Sequence, residues 1–443
     1  MIVCGQSVEQ PQIMPNFIAH RRENDKKEQY LKDHLDGTAV LSGKFAKKIG
    51  LEKHGEVIGL LHDIGKGTIE FYQYIGSATG LIDPDEDDYV DASGKKGKID
   101  HSSAGAQALS HYLSEKGKES MWVSQILSLI IASHHSGLID CLTPDGDDNF
   151  SRRMNKPENK TRTKEALANL NETIKHKMEE ILSGHNFIND FNQKIKSLQE
   201  SNDSKDTFLF KVGLLTRFLF SCLIDADRLN TADFEFPERA KLRNHGNYVS
   251  WPILIRKLEE HLSNIEKETE KKSVSQEKVN RLRKEISRHC FEFSTRPKGL
   301  YQLTVPTGGG KTLSSLRFAL NHANKNNMER IVYIIPYTSI IDQNAETVKS
   351  ILEDKTEEGF YSNSIVLEHH SNLTPEEETS RQKLMAENWD APIIFTTMVQ
   401  FLEALFGHGT RNARRMHQLA NTVLIFDEIQ TLPVQCVHLF NLA

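Results

Sequence analysis

At 443 residues the chain is about three times the ~150-residue length of one domain, so at least two cores are expected. Its 38% hydrophobic and 26% charged residues exclude a disordered or collagen-like chain, and no run approaches the ~18 consecutive apolar residues of a membrane span. The formal charge of −6 repels phosphate, so a nucleic-acid partner would have to be met by local basic patches or bound cations.

The N-terminus MIVCGQSVEQPQIMP lacks a basic region followed by a long apolar run, and Cys4, Cys141, Cys222, Cys290 and Cys436 form no CxxC pair. Both point to a reducing cytoplasm, with no membrane partner. From Tyr30 to about Asp227 apolar residues recur at helical spacing, interrupted by the acidic stretch Asp83–Gly97 and a polar segment from Pro144 to about Lys164, both expected as surface insertions. Thr207–Leu229 is apolar around most of its circumference and predicts a central buried helix. Phe236–Pro252 is irregular, and Ile253–Arg288 reads as a charged connector helix with Leu254, Leu258, Leu262 and Ile265 on one stripe. After Pro297 the runs YQLTV (Tyr301–Val305), RIVYII, SIVLEH, PIIFTT and TVLIF alternate with helical stretches, which predicts a parallel sheet with crossover helices. The expected organisation is multidomain: an all-α domain over 1–235, a helical connector over 236–290, and an α/β domain over 291–443.

Several of the 19 histidines fall in short motifs. His34 shares a helical face with Leu31, Thr38, Leu41 and Phe45, His134 continues the face of Val123, Leu127 and Ile130, and Asp227 continues that of Phe220, Leu223 and Ile224. An inward imidazole needs a hydrogen-bond partner or a metal. Adjacent residues on a helix diverge by about 100°, so both members of His62-Asp63 or His134-His135 reach one centre only near a helix end, where Gly65, Gly67 and Gly137 stand. Imidazole and carboxylate together suit Mn, Fe, Co, Ni or Zn, and a carboxylate such as Asp63 can bridge two ions of the kind that hydrolyse phosphodiesters.

The motifs LKDHL, LLHDIGKGTIEFYQYI, DHSSAG, SHHSG and DADRL, in that order, resemble the HD nuclease domain of type I CRISPR-associated nuclease-helicases. The HHG pattern departs by one residue, reading His134-His135-Ser136-Gly137. The resemblance implies an HD-type metal-dependent nuclease domain over 1–235, with His34, His62, Asp63 and Asp227 holding one divalent transition metal ion and Asp63, His101, His134 and His135 a second. It places Lys66 beside the metals, where it would meet the scissile phosphate unless it is a solvated helix-end lysine. Asp225 competes with Asp227 but lies about 200° away on the same helix. His20 matches an upstream histidine of relatives, with either a structural role or a substrate contact.

LTVPTGGGKT (Leu303–Thr312) reads as a strand, a glycine-rich turn and the start of a helix. Thr307, Gly308, Gly309 and Gly310 would wrap the phosphates of ATP, Lys311 would reach the β and γ oxygens, and Thr312 would ligate Mg²⁺. Val305 stands where GxxxxGK[ST] asks for Gly, and P-T-G-x-G-K-T is instead the helicase form. The strand Val423–Phe426 runs into Asp427, expected to bind Mg²⁺ through water, and Glu428, expected to orient the attacking water. With IIPYTSIIDQ, FTTMVQFLEALF and DEIQ, this half resembles the first RecA-like domain of superfamily 2 helicases. Thr338, Ser339, Thr396 and Thr397 would then contact a single strand or act as ordinary caps, and RNARR (Arg411–Arg415) reads as solvated charge in preference to a basic strand-facing loop.

The chain ends 13 residues after Gln430, so the RecA-like domain is expected to be incomplete and its second lobe to lie elsewhere, as on another chain. The resemblance implies single-stranded DNA as substrate and a guide-RNA surveillance complex as recruiting partner. The competing expectations are an HD nucleotide phosphohydrolase and a catalytically defective partner-binding fragment.

Overall fold

Leu35, Ala39 and Ala46 on helix Leu31–Ala46 are fully buried, as are Val57, Ile58 and Leu60 on helix Glu52–Leu61. This apolar pair founds the first unit of the computed structural model, which describes residues 16–82, 89–91, 99–269, 274–306, 308–355, 357, 360–370, 380–432 and 434–442. Most of the acidic stretch Asp83–Gly97, and Thr307, lie outside the described residues. The chain divides into two compact units, one holding residues up to Asp203 with Cys222–Phe236, the other Ser204–Ser221 with Pro237–Ala443. None of Cys141, Cys222, Cys290 and Cys436 is in a disulfide.

The first unit is helical. Helices Ser102–Ser114 and Met121–Ser133 pack against each other through Leu109, Leu113, Val123, Leu127 and Ile130, all at 1% exposure or less. The exception to the all-helical expectation is a short antiparallel pair, β1 (Ile18–Arg21) and β2 (Glu28–Tyr30), upstream of the first helix. The polar segment after Pro144 forms short helices rather than a free loop: Gln107 Nε2 donates to the carbonyls of Met154 and Lys156, and Thr161 is buried.

Helix Lys205–Glu235 gives its early turns to the second unit and its later turns to the first. It is long and apolar enough to cross a membrane by length and composition alone. In the folded chain Phe220, Cys222, Leu223 and Ala226 are fully buried, and Asp225 lies among them, which places this segment in the protein core.

The second unit is built on four parallel strands, β3 (Arg330–Ile335), β4 (Val366–His369), β5 (Ile393–Thr397) and β6 (Thr422–Phe426), in spatial order β4-β5-β3-β6. The central β3 is buried along its whole length, as a strand covered on both faces must be. Tyr333 stacks on Phe395 of the neighbouring strand at 4.5 Å. The helices of 236–290 lie in this same unit: Leu254 and Leu258 of helix Trp251–Thr269 join Leu316, Leu320 and Ile331 in one apolar core. The preceding irregular segment is pinned by Asp390, which accepts from the backbone N–H groups of His245 and Gly246 and from the Tyr248 hydroxyl.

One expected strand does not form. Tyr301–Val305 carries no regular secondary structure and lies outside the sheet, with Leu300, Tyr301 and Leu303 exposed. Strand propensity becomes strand only when a neighbouring backbone offers a ladder of hydrogen bonds, and the sheet on the described residues ends at β6. Of RNARR only Arg411 is exposed charge: Arg414 and Arg415 are buried, with Arg415 Nε donating to Ala386 O at 3.1 Å and its Nη1 to Gln400 Oε1 at 3.0 Å.

Candidate metal centre and nucleotide loop

His62 and Asp63 follow helix Glu52–Leu61, and at φ −121°, ψ 19° Asp63 leaves the helical course before the turn Ile64–Gly67. That departure lets two adjacent side chains address one point. His134 and His135 follow helix Met121–Ser133 in the same way, in a turn ended by Gly137 at φ 91°. His101 precedes helix Ser102–Ser114 and reaches the centre because Gly65 has no side chain, since a Cβ there would lie 2.4 Å from the His101 carbonyl oxygen.

The two oxygens of Asp63, a residue only 1% exposed, are divided between two groups of donors. Oδ2 lies 3.4 Å from the Nε2 atoms of His34 and His62, which stand 3.5 and 3.6 Å from Asp227 Oδ1. Oδ1 lies 3.2, 3.7 and 3.8 Å from the Nε2 atoms of His134, His101 and His135. Within each group the ligand atoms all fall within 4.8 Å of one another. Asp225 is fully buried and belongs to neither group.

The outer nitrogens explain why the inner ones converge. His62 Nδ1 donates to Gly59 O at 2.8 Å, His134 Nδ1 to Ile131 O at 2.7 Å, and His101 Nδ1 to Ile99 O at 3.0 Å. His34 Nδ1 donates instead to a side chain, Asn230 Oδ1, at 2.9 Å. With Nδ1 protonated, the lone pair of each neutral ring sits on Nε2 and faces inward. His101 and His135 Nε2 are 2.5 Å apart, His34 and His62 Nε2 3.2 Å apart. Facing nitrogens this close need a proton or a metal cation between them, and this nitrogen and oxygen set fits a first-row transition metal.

Burial opposes ionisation of Asp63, but Lys66, His62 and hydrogen bonds from His134 and His34 hold its carboxyl well below the usual range. Burial likewise opposes a charge on His62, yet Asp63 and Asp227 raise it to about 10, while burial pushes His101 down to about 4; His135, its side chain 49% exposed, is lowered by partial desolvation and by the neighbouring His134. Lys66 is 6% exposed with Nζ 2.8 Å from Asp63 Oδ2 and 3.4 Å from His20 Nε2, so it is a buried member of the cluster rather than a solvated helix-end lysine. Thr231 Oγ1 lies 3.2 Å from the same His20 nitrogen. Sequence reading passed over Asn230 and Thr231, although their spacing three and four residues beyond Asp227 puts them on its helical face.

In the second unit Gly308 and Gly310 adopt φ of 78° and 81° ahead of helix Lys311–Lys325, the backbone that a phosphate-wrapping turn requires. Gly309 N bonds Pro306 O at 2.9 Å, and Arg283 Nε donates to Gly308 O at 2.8 Å. Lys311 Nζ spans Asp427 Oδ1 at 2.9 Å and Glu428 Oε1 at 3.0 Å, and these partners, Asp427 first, raise its pKa. Thr312 Oγ1 donates to Asn344 Oδ1 at 3.0 Å. Thr396 is fully buried with its hydroxyl on His369 O, and Thr397 caps helix Met398–Phe406.

A family model for the HD domain matches residues 31–168, and one for the type III restriction enzyme res subunit matches residues 259–432. The chain is therefore an HD domain joined to a helicase-family domain. Its fold matches that of Cas3, the type I CRISPR HD nuclease-helicase. The crystal structure of T. fusca Cas3 with AMPPNP aligns at 18% identity and a TM-score of 0.54, covering 94% of this chain and 47% of that one. The ADP form aligns at 19% identity and 0.54, over 94% and 47%. A further crystal structure, of a CRISPR-associated protein, aligns at 12% identity and 0.50, over 94% and 48%. The chain thus spans just under half the length of these proteins. Among curated proteins no relative matches it.

Proposed function

We propose that the chain is a metal-dependent HD nuclease that cuts single-stranded DNA in CRISPR defence and carries an ATP-binding part of a helicase motor. The observation that carries this is the divided carboxylate of Asp63, one oxygen to each of two histidine groups. His34, His62, Asp63 and Asp227 would hold one divalent ion, and Asp63, His101, His134 and His135 the other. Bound there, the pair would supply an activated water and neutralise charge on a phosphodiester. The protein's own part is orientation: carbonyls and Asn230 fix the rings, and burial keeps bulk water from competing. Lys66 adds a cation beside the reacting phosphate. A centre of this kind uses no nucleotide, so strand cutting proceeds without ATP.

In the second unit Lys311, now paired with Asp427 and Glu428, would meet the phosphates of ATP, Gly308–Gly310 would wrap them, and Thr312 and Asp427 would hold Mg²⁺. Glu428 orients the attacking water. The proposal extends to a guide-RNA surveillance complex as recruiter and to a cytoplasmic location, which the run of HD and helicase motifs in the sequence supports. Circular single-stranded DNA incubated with Mn²⁺, Co²⁺, Ni²⁺ or Mg²⁺, with and without ATP, tests the reading. Metal-dependent linearisation in the absence of ATP is expected. Intact circles with every metal would overturn it, and phosphate release from dNTPs instead of cutting would point to a nucleotide phosphohydrolase.

A further inference from the structure

His62 and His134 each lie one residue past a helix end, where the last carbonyls have no helical partner, and each ring donates its Nδ1–H to the carbonyl three residues back. His34 has no such recourse. It sits in the first turn of helix Leu31–Ala46, where the carbonyls are committed to the helix itself, so its ring must find an acceptor on another element. That acceptor is Asn230 Oδ1, 196 residues away in sequence and 2.9 Å away in space. The same oxygen accepts from Gln29 Nε2 at 2.8 Å, which orients the amide with its oxygen toward the ring. Asp227, one helical turn earlier, stands 3.5 Å from the other nitrogen of His34. A single helix therefore grips both ends of one imidazole.

We propose that Asn230 is a positioning residue that holds His34 in the Nδ1–H tautomer, leaving Nε2 free to bind metal. An amide oxygen accepts but cannot donate, so this contact selects one tautomer. Partners of this kind change metal affinity by about 10- to 100-fold when removed from a metal-binding histidine. The inference rests on the histidine and aspartate cluster being a metal centre.

The test compares the full chain with Asn230→Leu, which keeps the shape and loses the acceptor, and Asn230→Asp, which keeps the acceptor. In the metal-free proteins, ¹⁵N shifts of the His34 ring, assigned by comparison with His34→Gln, report the tautomer. Calorimetric titration with Mn²⁺ reports affinity, and thermal unfolding reports folding. Asn230→Leu should mix the tautomers and weaken one Mn²⁺ site at least ~10-fold, whereas Asn230→Asp should keep Nδ1 protonated and bind like wild type. An unchanged tautomer and affinity in Asn230→Leu overturns the inference. Should that variant fail to fold, Asn230→Asp decides, because loss of the tautomer or of Mn²⁺ binding there overturns it as well. A wild-type chain that takes up no transition metal overturns the metal-centre reading and this inference with it, an outcome distinct from equal binding by wild type and variant.

Discussion

The HD centre and the nucleotide loop are both built from short motifs at helix ends, yet they differ in how far the protein arranges them in advance. In the first, Asp63, His34, His62 and His134 are at most 2% exposed, and their outer atoms are tied to carbonyls or to Asn230. In the second, the Lys311 side chain is 42% exposed, paired with the two carboxylates beside it, and the segment leading into the loop lies outside the sheet. Burial with satisfied hydrogen bonds makes geometry rigid, whereas exposed ion pairs are worth little and rearrange readily. A preorganised centre can act as it stands. A loop held by its own acidic neighbours must exchange them for ligand.

The strongest way to break this contrast is Asp63→Ala. With the shared carboxylate gone neither group is complete, so cleavage of single-stranded DNA should fall by well over ~100-fold, since loss of an outer partner alone costs about 10- to 100-fold. Metal per chain, measured by mass spectrometry after purification without chelator, should fall in parallel. Wild-type metal content in that variant would show that Asp63 bridges nothing.

Next in size is Asp390→Ala, which leaves three donors around the Tyr248 segment without their acceptor. A loss of about 3 kcal/mol from the second unit is expected, visible as an earlier transition in denaturant, with metal uptake by the first unit unchanged. Simultaneous loss of metal would mean that the two units do not stand independently.

A smaller effect concerns pH. His54 is buried, donates from Nε2 to Phe187 O at 2.8 Å and stacks on the Phe187 ring at 4.3 Å. Burial lowers its pKa to about 4, from 6.5 in the unfolded chain, despite opposition from the Phe187 carbonyl and Asp190. Between those values the unfolded chain binds the extra proton, so the stability due to a neutral His54 is complete above 6.5 and declines as pH falls toward 4. Between pH 7.5 and 5 the loss should be about 2 kcal/mol, and urea unfolding at those two values should show a flatter pH dependence in His54→Gln. An identical slope would remove His54 as its source.

Smallest of all should be the effect of Lys311→Ala on cutting single-stranded DNA, within about twofold of wild type, because the nucleotide loop takes no part in the HD centre. ATP binding should be lost in the same variant, as a fluorescent nucleotide titration would reveal. A collapse of ATP-independent cutting would erase the division of labour between the two sites.

Much of both sites was legible in the residues themselves. Helical spacing turned His34, His134 and Asp227 inward, glycines marked the ends where His62-Asp63 and His134-His135 could converge, and the run from Pro306 to Thr312 declared a phosphate loop before any fold was known. These are local properties, fixed by 3.6 residues per turn and by the backbone freedom of glycine. Tertiary structure decided what depends on partners distant in sequence. The sharing of Asp63 between His34 and His134, the capture of His34 by Asn230, and the burial of Lys66, Arg414 and Arg415 each join elements that sequence spacing cannot bring together. Tyr301–Val305 shows the converse: the run has the pattern of a strand, but a strand exists only where another backbone meets its hydrogen bonds, and only the assembled sheet determines which segments it admits.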